Sequence, residues 1–243
     1  FNREKKVFHH VLQPMLSRVF AEYIIETYEL KWLHEELTEM YFYEDREEKR
    51  EIVSIFYLIM EGKYSDLPNA KSIPSRRSLI ETAVKSLLED SFKRELSFSF
   101  DSFLKFRIKE YREFIATYIA MAIDEYKLEQ DYQSFIENLR SFLVRKQPVI
   151  ETVHVVYTNQ PRFYDERLQL IHQHQLTKES SFFSHQSVIE PTLLQPLLTL
   201  APKHVYLYAD DDVTGLLYTL QNIFQERLTI RSLKEMPNIS TPM

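Results

Sequence analysis

The sequence predicts an α+β fold: a helical domain over residues 1–147, then a small mixed α/β domain over residues 148–243 with about four strands and a C-terminal βαβ unit. Three observations predict it. Up to Arg145 the apolar residues recur at helical spacing, whereas TVHVVY at 152–157 has the alternation and β-branched content of a strand. Residues 202–230, PKHVYLYADDDVTGLLYTLQNIFQERLTI, then read as strand, acidic turn, helix and strand. A crossover helix between two strands makes them parallel neighbours of one sheet.

Taken in order, residues 1–43 read as helix, with Leu16, Phe20, Ile24, Leu30, Leu37 and Tyr41 near one stripe and Pro14 starting or kinking it. Trp32 is expected as a core or groove anchor rather than a ligand-stacking residue. A mixed-charge run, residues 44–51 with Asp45 and Lys49 at i,i+4, reads as a solvated face rather than a metal site. It leads into a helix carrying Ile52, Ile55, Phe56 and Ile59, which Gly62 caps. Residues 64–74 read as loop, and Ser75 caps a third helix through Leu79, Ala83, Leu87 and Phe92 with Glu81–Lys85 and Glu89–Lys93 pairs. Arg76 and Arg77 in its first turn oppose the helix dipole, which points to an acidic neighbour in preference to an anionic partner. Asp101 is the expected cap of a fourth helix running to Glu125, and a fifth from Asp131 to Pro148 is expected to pair with it antiparallel. Beyond the first strand, 162–164 and 168–171 are expected to pair across Asp165–Glu166; 173–185 reads as loop and 188–200 as a helix bent by Pro191 and Pro196.

Composition removes whole classes of function. The net charge of −6 gives no general basis for wrapping nucleic acid or anionic lipid. With no cysteine, disulfides, thiol nucleophiles and thiolate zinc sites are excluded, which fits a cytoplasmic location. Only Gly62 and Gly215 are available, so neither a P-loop nor a dinucleotide fingerprint can be written. No apolar run approaches the roughly 20 residues of a spanning helix, so no membrane insertion is expected. The chain opens at Phe1, and its native start is expected to lie upstream.

FRIKEYREFI (106–115), FIENLRSFLVRKQPVIETVHVVY (135–157), and LAPKHVYLYADD with TLQNIFQERLTI within 200–230 resemble the YtxC-like family, associated with sporulation in endospore-forming bacteria. These are packing patterns, so the resemblance implies a biological context and no reaction. It also implies cysteines after the last strand in some members. Here Arg231, Ser232, Leu233 and Lys234 stand in that place, so a thiol or metal role there does not carry over.

Three constellations compete for function. Asp210, Asp211 and Asp212 lie where a parallel strand meets a helix, a usual place for ligands in open α/β sheets, and could hold a divalent cation. Capping of the following helix is the plainer account. His172 and His174 at i,i+2 could share a metal with His185, yet no fixed ligand motif accompanies them; His9–His10 and the adjacent Ser184–His185 suggest no site. Arg76, Arg77, Arg140, Arg145 and Lys146 are too few for a nucleic-acid surface, so nucleic acid is not the expected partner. Core packing accounts for most of the 15 Tyr and 17 Phe, and surplus aromatics on helix faces also suit a partner-binding surface. The expected function is therefore a sporulation-associated protein acting through protein contacts, without catalysis and without a cofactor. A metal-dependent hydrolase at the acidic turn is the alternative, and a nucleic-acid-associated factor the third.

Overall fold

The computed structural model describes residues 11–64, 75–94, 99–172, 191–210 and 214–237. The chain forms two compact units, Phe1–Gln130 and Asp131–Met243. Among the described residues, all helices before Thr152 are free of strand pairing, and the sheet has four strands, as expected of an α+β chain.

The first unit begins with α1 (Gln13–Ile24), in which Pro14 occupies the first turn, where its missing N–H costs nothing. A π-helical turn, Ile25–Glu29, separates α1 from α2 (Leu30–Glu39). That turn corrects the expected single stripe. One extra residue rotates the helix beyond it, so Leu33 and Leu37 reach the core while Leu30 is exposed. Tyr41, beyond the end of α2, is exposed as well. Trp32 is buried against Tyr28 and Tyr111, the core position expected of it.

Helix α3 (Arg46–Met60) is capped by Asp45, whose carboxylate accepts from the amides of Glu47 and Glu48 at 2.8 and 3.0 Å. Those amides, Glu48 first, hold the Asp45 carboxyl below its ordinary range, with Lys49 adding to them. Asp45 is thus a helix cap, while the Lys49 ammonium donates to the Thr38 hydroxyl at 3.4 Å. Gly62 follows α3 with φ of 72°, the left-handed backbone that glycine adopts freely. Helix α4 (Arg76–Arg94) starts after Ser75, whose hydroxyl accepts from the Ser78 amide at 3.4 Å. Lys85 pairs with Glu81 at 3.5 Å; the side chains of Phe92 and Lys93 lie outside the described residues.

Two expectations fail in the next stretch. Ser99, not Asp101, caps α5 (Phe100–Phe106), because its hydroxyl accepts from the Ser102 amide at 3.1 Å and leaves Asp101 inside the first turn. The expected antiparallel pair is a single helix, α6 (Lys109–Arg145). The apolar gap around Lys127–Asp131 contains neither Gly nor Pro, so the helix continues there with these side chains exposed. The true break is at Arg107–Ile108.

In the second unit β1 (Thr152–Val156) is central, flanked by antiparallel β2 (Arg162–Tyr164) and parallel β3 (His204–Tyr208); β4 (Leu228–Arg231) lies parallel to β3, giving the order β2-β1-β3-β4. β3 and β4 are the parallel neighbours expected of the βαβ unit. The return at 168–171 makes one antiparallel bridge, Tyr164 to Leu170, rather than a strand of its own, while β2 pairs with β1.

Helix α7 (Pro191–Leu200), which carries Pro196 inside, and α8 (Thr214–Phe224) connect these strands. Leu193, Leu197, Leu220 and Phe224 from them, with Ile136, Leu139 and Leu143 of α6, form one core with Val153, Val155, Phe163, Val205 and Leu207. Strand side chains alternate faces, so these helices cover one face of the sheet. The opposite face carries Tyr164, His154, Tyr206 and Thr229 in one row and Val156, Tyr208 and Arg231 in the next.

Candidate functional site

In the first unit the π-helical turn ends at Glu29, which is 1 % exposed despite its charge. The Arg76 guanidinium donates to one carboxylate oxygen at 2.5 Å and the Tyr111 hydroxyl donates to the other. Tyr57 adds a further hydrogen bond to Glu29, and Arg76 lies over its ring at 5.4 Å from the centroid. Burial first, and the Glu29 charge second, push the Tyr57 hydroxyl up to about 12 and raise Tyr111 as well. Every charge here has its partner. The group ties the α1–α2 junction to α3, α4 and α6, and its chemistry is that of a pin rather than of a reactive centre. Arg77 pairs with Glu22 at 2.9 Å, so both arginines of this helix start answer acidic neighbours.

In the second unit the sheet face away from the helices brings together groups from three strands. The His154 ring stacks on Tyr206 at 5.1 Å between centroids and on Tyr208 at 6.0 Å. The Arg231 guanidinium sits over the Tyr206 ring at 4.7 Å, and its charge acts on the Tyr208 hydroxyl. His154 Nδ1 is 3.1 Å from that hydroxyl. Burial, then the charge of Arg231, push the His154 imidazole below its ordinary value, against the opposing pull of Asp165. Burial raises the Tyr208 hydroxyl. Tyr208 and Arg231 are the last residues of β3 and β4, and the carboxyl ends of parallel strands are where open α/β sheets bind ligands. Beyond the end of β1, a cavity of about 640 Å³ is lined by residues 158–163 and 170–172, among them Arg162 and His172.

Of the residues singled out in the sequence, Asp210 is exposed just beyond β3, while Asp211 and Asp212 lie outside the described residues. Among the described residues no group of three His, Asp or Glu side chains has the placement to hold a metal ion. His172 is exposed at the cavity; His9, His10, His174, Ser184 and His185 lie outside the described residues. Arg140 donates from Nε to the Asn222 carbonyl at 2.6 Å and pairs with Glu137 at 3.6 Å, a structural use at the end of α8. Lys146 lies over the Phe142 ring and Arg145 is exposed.

Neither Glu29 nor the His154, Tyr206, Tyr208 and Arg231 group stood out in the sequence. The signal for the second was present in the alternation itself. In VHVV and HVYLY one face is uniformly aliphatic and the other holds His and Tyr. For Glu29 there was none, since an acid between Tyr28 and Leu30 reads as solvent-facing until the π-turn rotates it inward.

Comparison with known proteins places this chain in a family. The model of the YtxC-like family matches residues 14–229. The chain is 29% identical over 234 residues to an "Uncharacterized protein YtxC" of Bacillus subtilis (strain 168), covering 96% of this chain and 82% of that relative. No solved structure matches it. Among the described residues no helix is long and apolar enough to cross a membrane.

Proposed function

Because the chain belongs to the YtxC-like family, we propose that it is a sporulation-associated protein that acts by docking onto another protein rather than by catalysis. The observation that carries the docking is a run of large apolar side chains facing away from the core at the start of the chain. Val11, Met15, Val19 and Tyr23 recur every four residues and are 57%, 55%, 56% and 49% exposed, with Leu12 beside them at 42%. The opposite face of α1 packs through Gln13, Ser17, Ala21 and Ile24, so the exposed stripe is not the side that builds the core. A surface helix whose only task is packing carries polar residues outward. A contiguous exposed apolar stripe is the mark of a partner surface.

The test is capture of the tagged full chain from sporulating cells of an endospore-forming bacterium, beside the doubly substituted Met15→Glu, Val19→Glu chain. One stoichiometric protein should accompany the wild type and be lost from the variant, with both giving the same thermal melt. Equal recovery of that protein by the variant would remove the stripe from the reading. Nucleic acid that leaves at moderate salt would replace the reading itself.

A further inference from the structure

We propose that the turn between α2 and α3 is a docking finger, in which Phe42, with Met40 and Tyr41, enters an apolar pocket of a partner protein rimmed by lysine and arginine. Resting on the docking reading above, the finger adds to it a second contact and the chemistry of the surface met. Three consecutive apolar residues stand out of the fold here, Met40 at 65%, Tyr41 at 38% and Phe42 at 80% exposed. A run of this kind serves no packing of its own chain and marks a surface that another molecule covers.

Phe42 is also held at φ of 60°, in the left-handed region. Glycine and asparagine enter that region readily at a helix end, whereas the Cβ of an aromatic residue crowds the backbone there. The turn is fixed on both sides. The Tyr43 amide donates to the Leu37 carbonyl at 2.9 Å, the Tyr43 ring packs edge-on to Tyr126 at 6.4 Å between centroids, and Asp45 caps α3. The chain therefore keeps a bulky aromatic where a small residue would fold better. A rigid exposed ring gives up little freedom on binding, and aromatic side chains of this kind dominate the centres of protein interfaces.

The charge around the finger selects the partner. Residues 39–48 hold five acids, Glu39, Glu44, Asp45, Glu47 and Glu48, against the single base Arg46. Three of the acids are engaged: Asp45 in its cap, Glu47 with Arg50 at 3.0 Å, and Glu48 with the Tyr126 hydroxyl at 3.3 Å. Glu39 and Glu44, on either side of the apolar residues, are exposed and have no ion pair among the described residues. An acidic rim repels nucleic acid and an anionic lipid surface, and it is complementary to a basic protein surface.

The experiment places the photo-crosslinking residue p-benzoylphenylalanine in the full chain, in place of Phe42 in one version and of Met15 in the α1 stripe in another, and irradiates both in sporulating cells of an endospore-forming bacterium. The first should crosslink one protein, through a peptide that lines an apolar pocket with lysine or arginine at its rim. With that protein purified, Phe42→Asn should weaken binding roughly tenfold or more, as loss of a central aromatic does. The double change Glu39→Lys, Glu44→Lys should weaken it at low salt and matter less at high salt. Because the strain is relieved, the Phe42→Asn chain should melt about 2–4 °C above wild type. Crosslinks from position 15 and none from position 42 would overturn the finger and leave the docking reading standing, whereas none from either would remove both. A crosslink to lipid or nucleic acid, a pocket without basic residues, or binding unchanged by Phe42→Asn would also overturn the finger. So would a Phe42→Asn chain that melts below wild type, since Phe42 would then belong to the packing.

Discussion

Glu29 is a buried carboxylate whose partners come from three other helices, so each partner can be removed in turn. Arg76→Ala leaves the charge uncompensated at a site where Arg76 itself is 30% exposed, and a loss of about 3 kcal/mol is expected, the low end for a broken buried pair. Tyr111→Phe removes one donor and leaves the second carboxylate oxygen under-satisfied, for roughly 1–3 kcal/mol. Adding Glu29→Gln to Arg76→Ala should return part of the loss, because a neutral amide does not need the guanidinium. Urea unfolding of the three variants measures this. An Arg76→Ala chain as stable as wild type would show that the charge finds water, and that the group is no pin.

At the level of elements, the continuity of α6 makes its own prediction. Gln130 is exposed in mid-helix, and Gln130→Gly should cost about 1 kcal/mol, whereas in a connecting loop it would cost nothing. Equilibrium unfolding of that single variant distinguishes the two. The missed continuity shows what was and was not legible in the sequence. Strand order and direction around β3 and β4 could be read, because a helix of eleven residues between two alternating runs leaves one connection open to them. Helix ends were harder. An apolar gap resembles a loop when the side chains there merely face water, and Ser99 and Asp101 both have cap chemistry with only geometry to choose between them. The π-turn was not legible at all, since an extra residue in a helix changes phase without changing composition. The sheet-face cluster required knowing that His154 and Tyr206, more than fifty positions apart, are register partners.

For the molecule as a whole, the raised tyrosines set its response to alkali. Tyr57 and Tyr126 have hydroxyls pushed up to about 12 from an ordinary 10, chiefly by burial and then by Glu29 and Glu48, and Tyr111 is raised with them. The folded chain therefore holds these protons more tightly than the unfolded one. The stability they contribute is complete below pH 10 and is lost as pH rises through about 12. His154, shifted the opposite way, contributes stability above its unfolded value of 6.5 that is lost on acidification. Denaturation midpoints followed from pH 8 to 12 should fall steeply in the upper part of that range, and Tyr57→Phe should blunt the fall; a flat profile would contradict it. The choice of optical signal for such a curve matters. The chain has one tryptophan, Trp32, packed beneath the Arg112 guanidinium at 5.4 Å and against the ring of Tyr111, and it belongs to the first unit. Its emission is an optical reporter built into the helical half, blind to the sheet. Where fluorescence and the near-ultraviolet tyrosine signal lose their native values at different denaturant concentrations, the gap between the two curves is a direct reading of how far the halves melt as separate cooperative blocks.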